Sequence, residues 1–420
     1  MSRPGAMTDK AVAFPGGRLP GAAQGWVLIA TAWLSVIASS LIGPVLPTMA
    51  RVFAAVPAVS LKLSLIATLP ALFVALLATP FGAAGDRFGH RRVLFWAVVV
   101  YGFVGTAPLW LGSLDAILAS RILVGVAEAA IMTCGTALIG DYFDGRPRER
   151  WLAMQTGTAP FVSTAMLALG GLLGEYSWRG PFAAYGFAFL LIPLVWFLLW
   201  EGRRTPKAPA AATAAPPIEG FRWGKLMWIN LVTVFALTAF LITIIQTSFL
   251  LTERGFTSPR LIGLWAALAS LANPLGALLF GLTRWRVSAK LLFAFAMFAT
   301  GFAVIALLPG YQAVIAGAVI ANLGGGFILP TLITWALSTL PPAQRGRGTG
   351  LWMTASFLGQ FLSPLAMLFL SQVSGSLDHA VLIYAIACAA AAAASLLSLF
   401  RRRDGPDPLA TTPIVGAVAP

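Results

Sequence analysis

The feature that most constrains this chain is a succession of apolar stretches, each near the roughly 20 residues a helix needs to cross a bilayer. They fall near residues 25–47, 61–83, 93–112, 116–140, 150–174 and 181–200, then 226–251, 260–282, 289–309, 312–338, 348–371 and 379–400. Hydrocarbon leaves no partner for an open backbone amide, so each stretch reads as an α-helix. Composition agrees. The 420 residues are 59% hydrophobic and 10% charged, whereas a water-soluble domain carries about 25% charged residues. The predicted fold class is an all-α membrane protein, with 12 transmembrane helices in two six-helix bundles.

Domain limits follow from what lies between the stretches. Residues 1–24 are rich in Gly, Pro and Ala and lack the compact apolar segment of a cleavable signal, so they read as a disordered cytoplasmic tail. Bundles over 25–200 and 225–400 flank a Pro- and Ala-rich linker at 201–224, and 401–420 forms a second cytoplasmic tail. With the N-terminus inside, inner segments hold 22 Lys and Arg and outer segments 5. That bias places both termini in the cytoplasm of a multi-pass protein, with a bacterial inner membrane as the expected location. The net charge of +14 lies in short clusters between spans, the pattern of topology signals rather than of a nucleic-acid footprint. Cys134 and Cys388 fall within apolar spans and read as small core residues, while His90 and His379 stand apart near span ends. Neither a metal site nor a nucleophile–base pair can be assembled from them, so no cofactor, metal or enzyme activity is expected.

The fourth span carries Arg121 and Glu128 inside an apolar run. An ionisable side chain at membrane depth costs roughly 2.5–3.5 kcal/mol on insertion scales and is rarely idle. Seven residues make about two turns, so the two groups point to one side of the helix, roughly 10 Å apart by rise. Arg121 falls in the outer half and Glu128 near the midplane. A proton-coupled carrier needs a group that gains and loses a proton, and Glu128 is the only carboxylate deep in any assigned span. The alternative is structural: an Arg121–Glu128 pair, or hydrogen bonds to backbone carbonyls, that stabilises the bundle.

Between the second and third spans the chain reads Gly82-Ala-Ala-Gly-Asp86-Arg87-Phe-Gly89-His-Arg91-Arg92. Gly82 and Gly85 offer a smooth helix face for close approach, Asp86 can accept from a helix N-terminus, and Gly89 permits a tight turn. This string resembles the signature loop of the major facilitator superfamily, commonly written G-x-x-x-D-R/K-x-G-R/K-R/K, with His90 in place of a basic residue. Twelve spans, a six-plus-six split and a central linker agree with that family over nearly the whole chain. The resemblance implies a cytoplasmic gating network of Gly82, Asp86, Arg87, Gly89 and Arg91. Its partners would be Asp141 and Arg148 or Arg150, just after the fourth span. The run Arg121-Ile-Leu-Val-Gly125-Val-Ala-Glu128-Ala is similar to the family's R-x-x-x-G-x-x-x-A signature. There the basic residue influences proton transfer, and some anion carriers place a proton-binding Glu seven residues on.

The fifth span departs from the family's drug–proton antiporters, since Met166 and Leu167 occupy the place of their Gly-Pro pair. Trp178-Arg179 resembles an interfacial anchor. In the second half, Gly281–Lys290 stands where the loop would recur but lacks its Asp. Arg345 to Gly350 resembles the loop before the fifth span, and residues 357–365 look like the family's eleventh helix. Two related halves put a binding site at their interface near the midplane. Polar and aromatic residues expected to face it are Trp33, Ser39, Gln246, Trp265, Asn273, Asn322 and Gln360, each also able to serve as a helix–helix contact. Pro44, Pro274 and Gly324-Gly325-Gly326 are the expected bends. The resemblance implies a monomeric secondary transporter driven by the proton gradient, moving a small organic solute across the lipid bilayer by alternating access. Export of an amphipathic compound is the leading reading; proton-coupled uptake of an organic anion is the alternative.

Overall fold

The computed structural model describes residues 19–202, 223–339 and 345–401. Most of both tails, linker residues 203–222 and the side chains of Arg345, Arg347 and Arg401 lie outside the described residues. Among the described residues, twelve spans are long and apolar enough to cross a membrane: α1 (Ala22–Val52), α2 (Val59–Phe88), α3 (His90–Leu109), α4 (Leu114–Tyr142), α5 (Gly145–Tyr176) and α6 (Gly180–Leu198), then α7 (Trp223–Glu253), α8 (Pro259–Leu282), α9 (Val287–Leu307), α10 (Tyr311–Thr339), α11 (Gly348–Ser374) and α12 (Leu377–Phe400). Each lies within about five residues of a predicted stretch. The chain is an all-α, multi-pass membrane protein.

Local sequence fixes several helix ends. Ser113 caps α4 by accepting from the Ala116 amide at 3.2 Å, and Asp115 in the first turn favours the positive end of the helix dipole. Ser258 caps α8 in the same way, with Leu261 N as donor. Two of the expected bends appear. α1 is broken by a 3-10 turn at Gly43–Val45 that contains Pro44, whose ring leaves no amide to continue the ladder. α8 breaks at Leu271, and Pro274 lies in the first turn of the segment that follows. The three glycines of α10 do not bend it, because the helix runs unbroken from Tyr311 to Thr339. They serve close packing instead: a Cβ on Gly324 would sit 2.8 Å from Ala294 O, and one on Gly326 would overlap the Asn273 carbonyl.

Two apolar cores form. One gathers Leu34, Ile66, Val124, Leu138 and Tyr185 of the first half and takes in Leu241, Ile244, Ala266 and Ala267 of α7 and α8; the other gathers Phe298, Phe302, Phe327, Met367 and Cys388. The halves meet where α5 packs on α8 and α2 packs on α11. Arg87 at the end of α2, Arg91 and Arg92 in the first turn of α3, and Arg146, Arg148 and Arg150 at the start of α5 share one face of the molecule, called here the basic face. Lys290, counted from the sequence among the inner-side charges, is buried near the start of α9, 5% exposed, with its Nζ 3.9 Å from the centre of the Phe280 ring. Its long apolar stem is compatible with that burial, which hydropathy alone does not register.

At the face opposite the basic one the halves are tied together. Glu175 Oε2 on α5 accepts from Ser258 Oγ at 2.7 Å and from Arg260 N at 3.2 Å, so a carboxylate of one half caps a helix of the other. Arg51 Nη2 donates to Thr257 O at 3.3 Å. Below them Gly171 and Gly263 face each other: a Cβ on Gly263 would lie 2.7 Å from Gly171 Cα and from Leu167 O. Only glycines let two backbones approach this closely. Further in, Thr164 Oγ1 and Ser270 Oγ are 2.7 Å apart. Nearer the basic face, Ala153, Thr156 and Gly157 of α5 are exposed. The molecule is sealed toward the opposite face.

Candidate functional site

Glu128 lies midway along α4 and is 4% exposed. Its Oε1 accepts a hydrogen bond from the Ser35 hydroxyl of α1, while its Oε2 has no hydrogen-bond partner among the described residues. With Ser35, Ser39, Thr68, Pro70, Leu241, Phe357 and Gln360, it lines a cavity of about 40 Å³. The walls come from α1, α2 and α4 of one half and α7 and α11 of the other, so the cavity straddles the interface. Its volume suits a few waters rather than a drug-sized solute, which occupies a pocket of roughly 300 Å³ or more. A larger guest therefore requires the halves to part. Chemically, the site offers one carboxyl, several hydroxyls and an amide against apolar walls.

Arg121 takes a different direction. It is fully buried, with Nη2 donating to Val104 O at 3.4 Å and Gly105 O at 3.2 Å. Its guanidinium lies 5.2 Å from the centre of the Phe182 ring and 4.8 Å from that of Tyr185. It faces α3 and α6, not the cavity. Spacing along α4 puts Arg121 and Glu128 on one side, but crossing helices present different neighbours to one stripe two turns apart. The arginine thus makes the backbone-carbonyl contacts of the structural alternative. Arg121→Lys keeps the charge but loses the planar stack; it should cost roughly 1.5–3 kcal/mol, read as a lower unfolding temperature in detergent. Unchanged stability with lost transport would tie Arg121 to coupling instead.

The other cavity candidates separate. Ser39 and Gln360 line the cavity with Glu128. Trp33 Nε1 donates to Thr158 Oγ1 at 3.0 Å. Asn322 bridges helices, donating from Nδ2 to Ala318 O at 2.9 Å and accepting from Thr243 Oγ1 at 3.3 Å. Asn273 is buried where α8 meets α10, Gln246 is buried on α7, and Trp265 packs 6.4 Å from the Tyr311 ring. Ser35, Thr68 and Phe357 are cavity residues the sequence reading passed over.

At the basic face, Gly89 has φ +100° and joins α2 to α3, a conformation that favours glycine. Gly85 makes room for the His90 ring, whereas a Cβ on Gly82 would make only an ordinary 3.6 Å contact with Thr133. His90 lies between two acids: its Nε2 is 3.6 Å from Asp86 Oδ1 and its Nδ1 is 3.6 Å from Asp141 Oδ2. Arg148 lies against Gly140, and Arg87 is 5.2 Å from the centre of the Phe88 ring. Arg91 Nη2 donates to Trp196 O at 2.6 Å. A residue read as the first of the linker, Glu201, accepts from the amides of Arg91 and Arg92, both at 3.2 Å, and so caps α3 from the end of the sixth span. Nothing local to Glu201 signals this, since the cap is made more than a hundred residues away in sequence.

The family model described as Major Facilitator Superfamily matches residues 28–257 and again 227–419. The chain belongs to the major facilitator superfamily. Its similarity to curated members is partial. The tetracycline resistance protein, class C, of Escherichia coli is 32% identical over 217 residues, 50% of this chain and 53% of that protein. Protein spinster homolog 1 of Rattus norvegicus is 27% identical over 205 residues, 45% of this chain and 35% of that protein. This chain thus spans about half or less of the length of these relatives. Solved superfamily structures match along almost the full length. The D-xylose-proton symporter has a TM-score of 0.75 at 16% identity, covering 92% of this chain and 98% of that one. A bacterial homolog of the human lysosomal transporter Spinster has a TM-score of 0.73 at 17% identity, covering 92% and 100%. At these identities they establish the fold.

For this superfamily member the capping contact gives a direct test. Glu201→Gln removes the charge that faces the α3 N-terminus, which should lower stability by about 1 kcal/mol. Thermal unfolding in detergent would read it, and an unchanged midpoint would mean that the cap contributes nothing.

Proposed function

We propose that this protein is a proton-coupled secondary transporter that exports a small amphipathic solute by alternating access. The observation that carries the reading is Glu128: a single buried carboxylate on the cavity wall, at the interface of the two halves, with one oxygen held by Ser35 and the other unpartnered. A carboxyl so placed can exchange its proton with whatever enters from either side as the halves rock. The proton gradient is the driving force, and no cofactor takes part. The protein works as a monomer in the bacterial inner membrane with both termini in the cytoplasm.

Export draws support from the relative named for tetracycline resistance and from the apolar walls of the cavity. Uptake of an organic anion needs a cation at the site, and Arg121 is turned away from the cavity into the α3–α6 aromatic pair. The sealed opposite face fits a carrier loading from the cytoplasmic side. Counterflow in proteoliposomes against a panel of amphipathic drugs and organic anions, with and without a pH gradient, tests the reading. Transport of an amphipathic solute that accelerates with the gradient is expected. Gradient-insensitive transport would overturn proton coupling, and a response to anions alone would overturn the substrate class.

A further inference from the structure

A second concavity, of about 630 Å³, lies away from the central cavity, where α2 and α3 diverge beside α4. Its floor is made by small residues of α4, Ala127 and Ala130, both buried. Its rim carries Phe88, Trp96 and Val100, which are 56%, 64% and 41% exposed. Side chains this apolar, on a span that crosses the bilayer, face acyl chains rather than water. The groove therefore opens sideways, into hydrocarbon.

One end of the groove is charged. Arg87 and Arg92 belong to its lining and are exposed at the basic face, one at the close of α2 and one in the first turn of α3. The acids nearby are engaged: Asp86 contacts His90, and Glu201 takes the amides of Arg91 and Arg92. Arg91 is spent on Trp196. The mouth thus presents two guanidinium groups at headgroup level, above a long apolar trough. A solute that satisfies both must carry an anion at one end and a hydrocarbon chain at the other. The lipid of the leaflet that bathes this face has that form, and basic residues at the cytoplasmic surface attract its anionic members.

We propose that this groove is a binding site for an anionic phospholipid, with the phosphate held between Arg87 and Arg92 and one acyl chain laid along Ala84, Val93 and Ala97 over the α4 floor. Guanidinium forks suit phosphate oxygens in a paired geometry that an ammonium does not reproduce. The site is separate from the solute cavity and does not depend on what the carrier moves.

The test is native mass spectrometry of the purified full-length protein in mild detergent, titrated with phosphatidylglycerol or phosphatidylcholine of matched chains. Phosphatidylglycerol should be retained on the order of tenfold more strongly than phosphatidylcholine. Arg87→Gln with Arg92→Gln should bring its retention down to the phosphatidylcholine level. Should the double variant fail to fold, Arg92→Gln alone should show part of the same loss. Ala84→Phe, which fills the trough and leaves the charges, should weaken both lipids alike, with thermal unfolding confirming that the variant is folded. Equal retention of the two lipids by the parent protein would overturn the proposal, as would a preference that survives loss of the arginines. Displacement by equimolar inorganic phosphate would mean that the arginines bind a free anion and the groove holds no chain. Displacement of lipid by a second copy of the protein would make the groove a dimer surface and overturn it equally.

Discussion

Replacing Glu128 with glutamine is expected to abolish pH-gradient-driven transport while leaving the protein folded. The amide keeps the side-chain volume and can still accept from Ser35, so the packing of α1 on α4 persists. The change in folding stability should stay within about 1 kcal/mol. What disappears is the one group in the cavity wall that can carry a proton. Reconstituted Glu128→Gln should therefore still exchange solute for solute but fail to accumulate it against a pH gradient. Accumulation equal to that of the parent would make Glu128 a structural residue.

The second large effect is expected at the glycine contact between α5 and α8. Gly263→Leu places a branched side chain where the Gly171 Cα and the Leu167 carbonyl oxygen would each lie 2.7 Å from its Cβ. Overpacking of this kind costs about 1–3 kcal/mol. The two halves can relieve it without unfolding, by separating at the opposite face, since the contact joins helices of different bundles. A cost of that size moves a two-state equilibrium by roughly 5- to 150-fold. The variant should hold the opposite face open and transport slowly. A cysteine introduced at Thr164, deep in that face, should then react with a membrane-impermeant thiol reagent far faster than in the parent. Loss of thermal stability without a gain in reactivity would show that the strain is absorbed inside one bundle.

How much of this was legible beforehand depended on whether the signal was local. Span positions were, because hydropathy over about 20 residues is a property of the stretch itself. Glu128 stood out for a similar reason, as a lone carboxylate in apolar surroundings. Its partner did not. Ser35 and Ser39 lie one turn apart on α1, and which of them meets Glu128 depends on the axial register of two helices far apart in sequence. Arg121 stands out in the sequence as a charge in an apolar run, yet its environment is set by Phe182 and Tyr185 in a 3-10 segment of the sixth span. The Glu201 cap shows the same limit, since a charged residue beside a Pro- and Ala-rich linker looks like part of it. The α10 glycines misled because the freedom that permits a bend also permits close approach. Only the neighbours Ala294, Phe240 and Asn273 decide between the two.

The burial of Arg121 also bears on membrane voltage. Arg121 and Glu128 belong to one helix of one bundle, so they move together when the halves rock. With Glu128 ionised, the two deep charges of α4 cancel and the potential has little to act on. With Glu128 protonated, Arg121 leaves the same bundle with one net positive charge inside the hydrocarbon. A full crossing of that charge is worth roughly 2.3 kcal/mol per 100 mV, and the small displacement of a rocking bundle a fraction of it. On the proposed proton-coupled cycle, voltage would bias the protonated carrier and spare the deprotonated one, making one step electrogenic through a residue that lies outside the cavity wall.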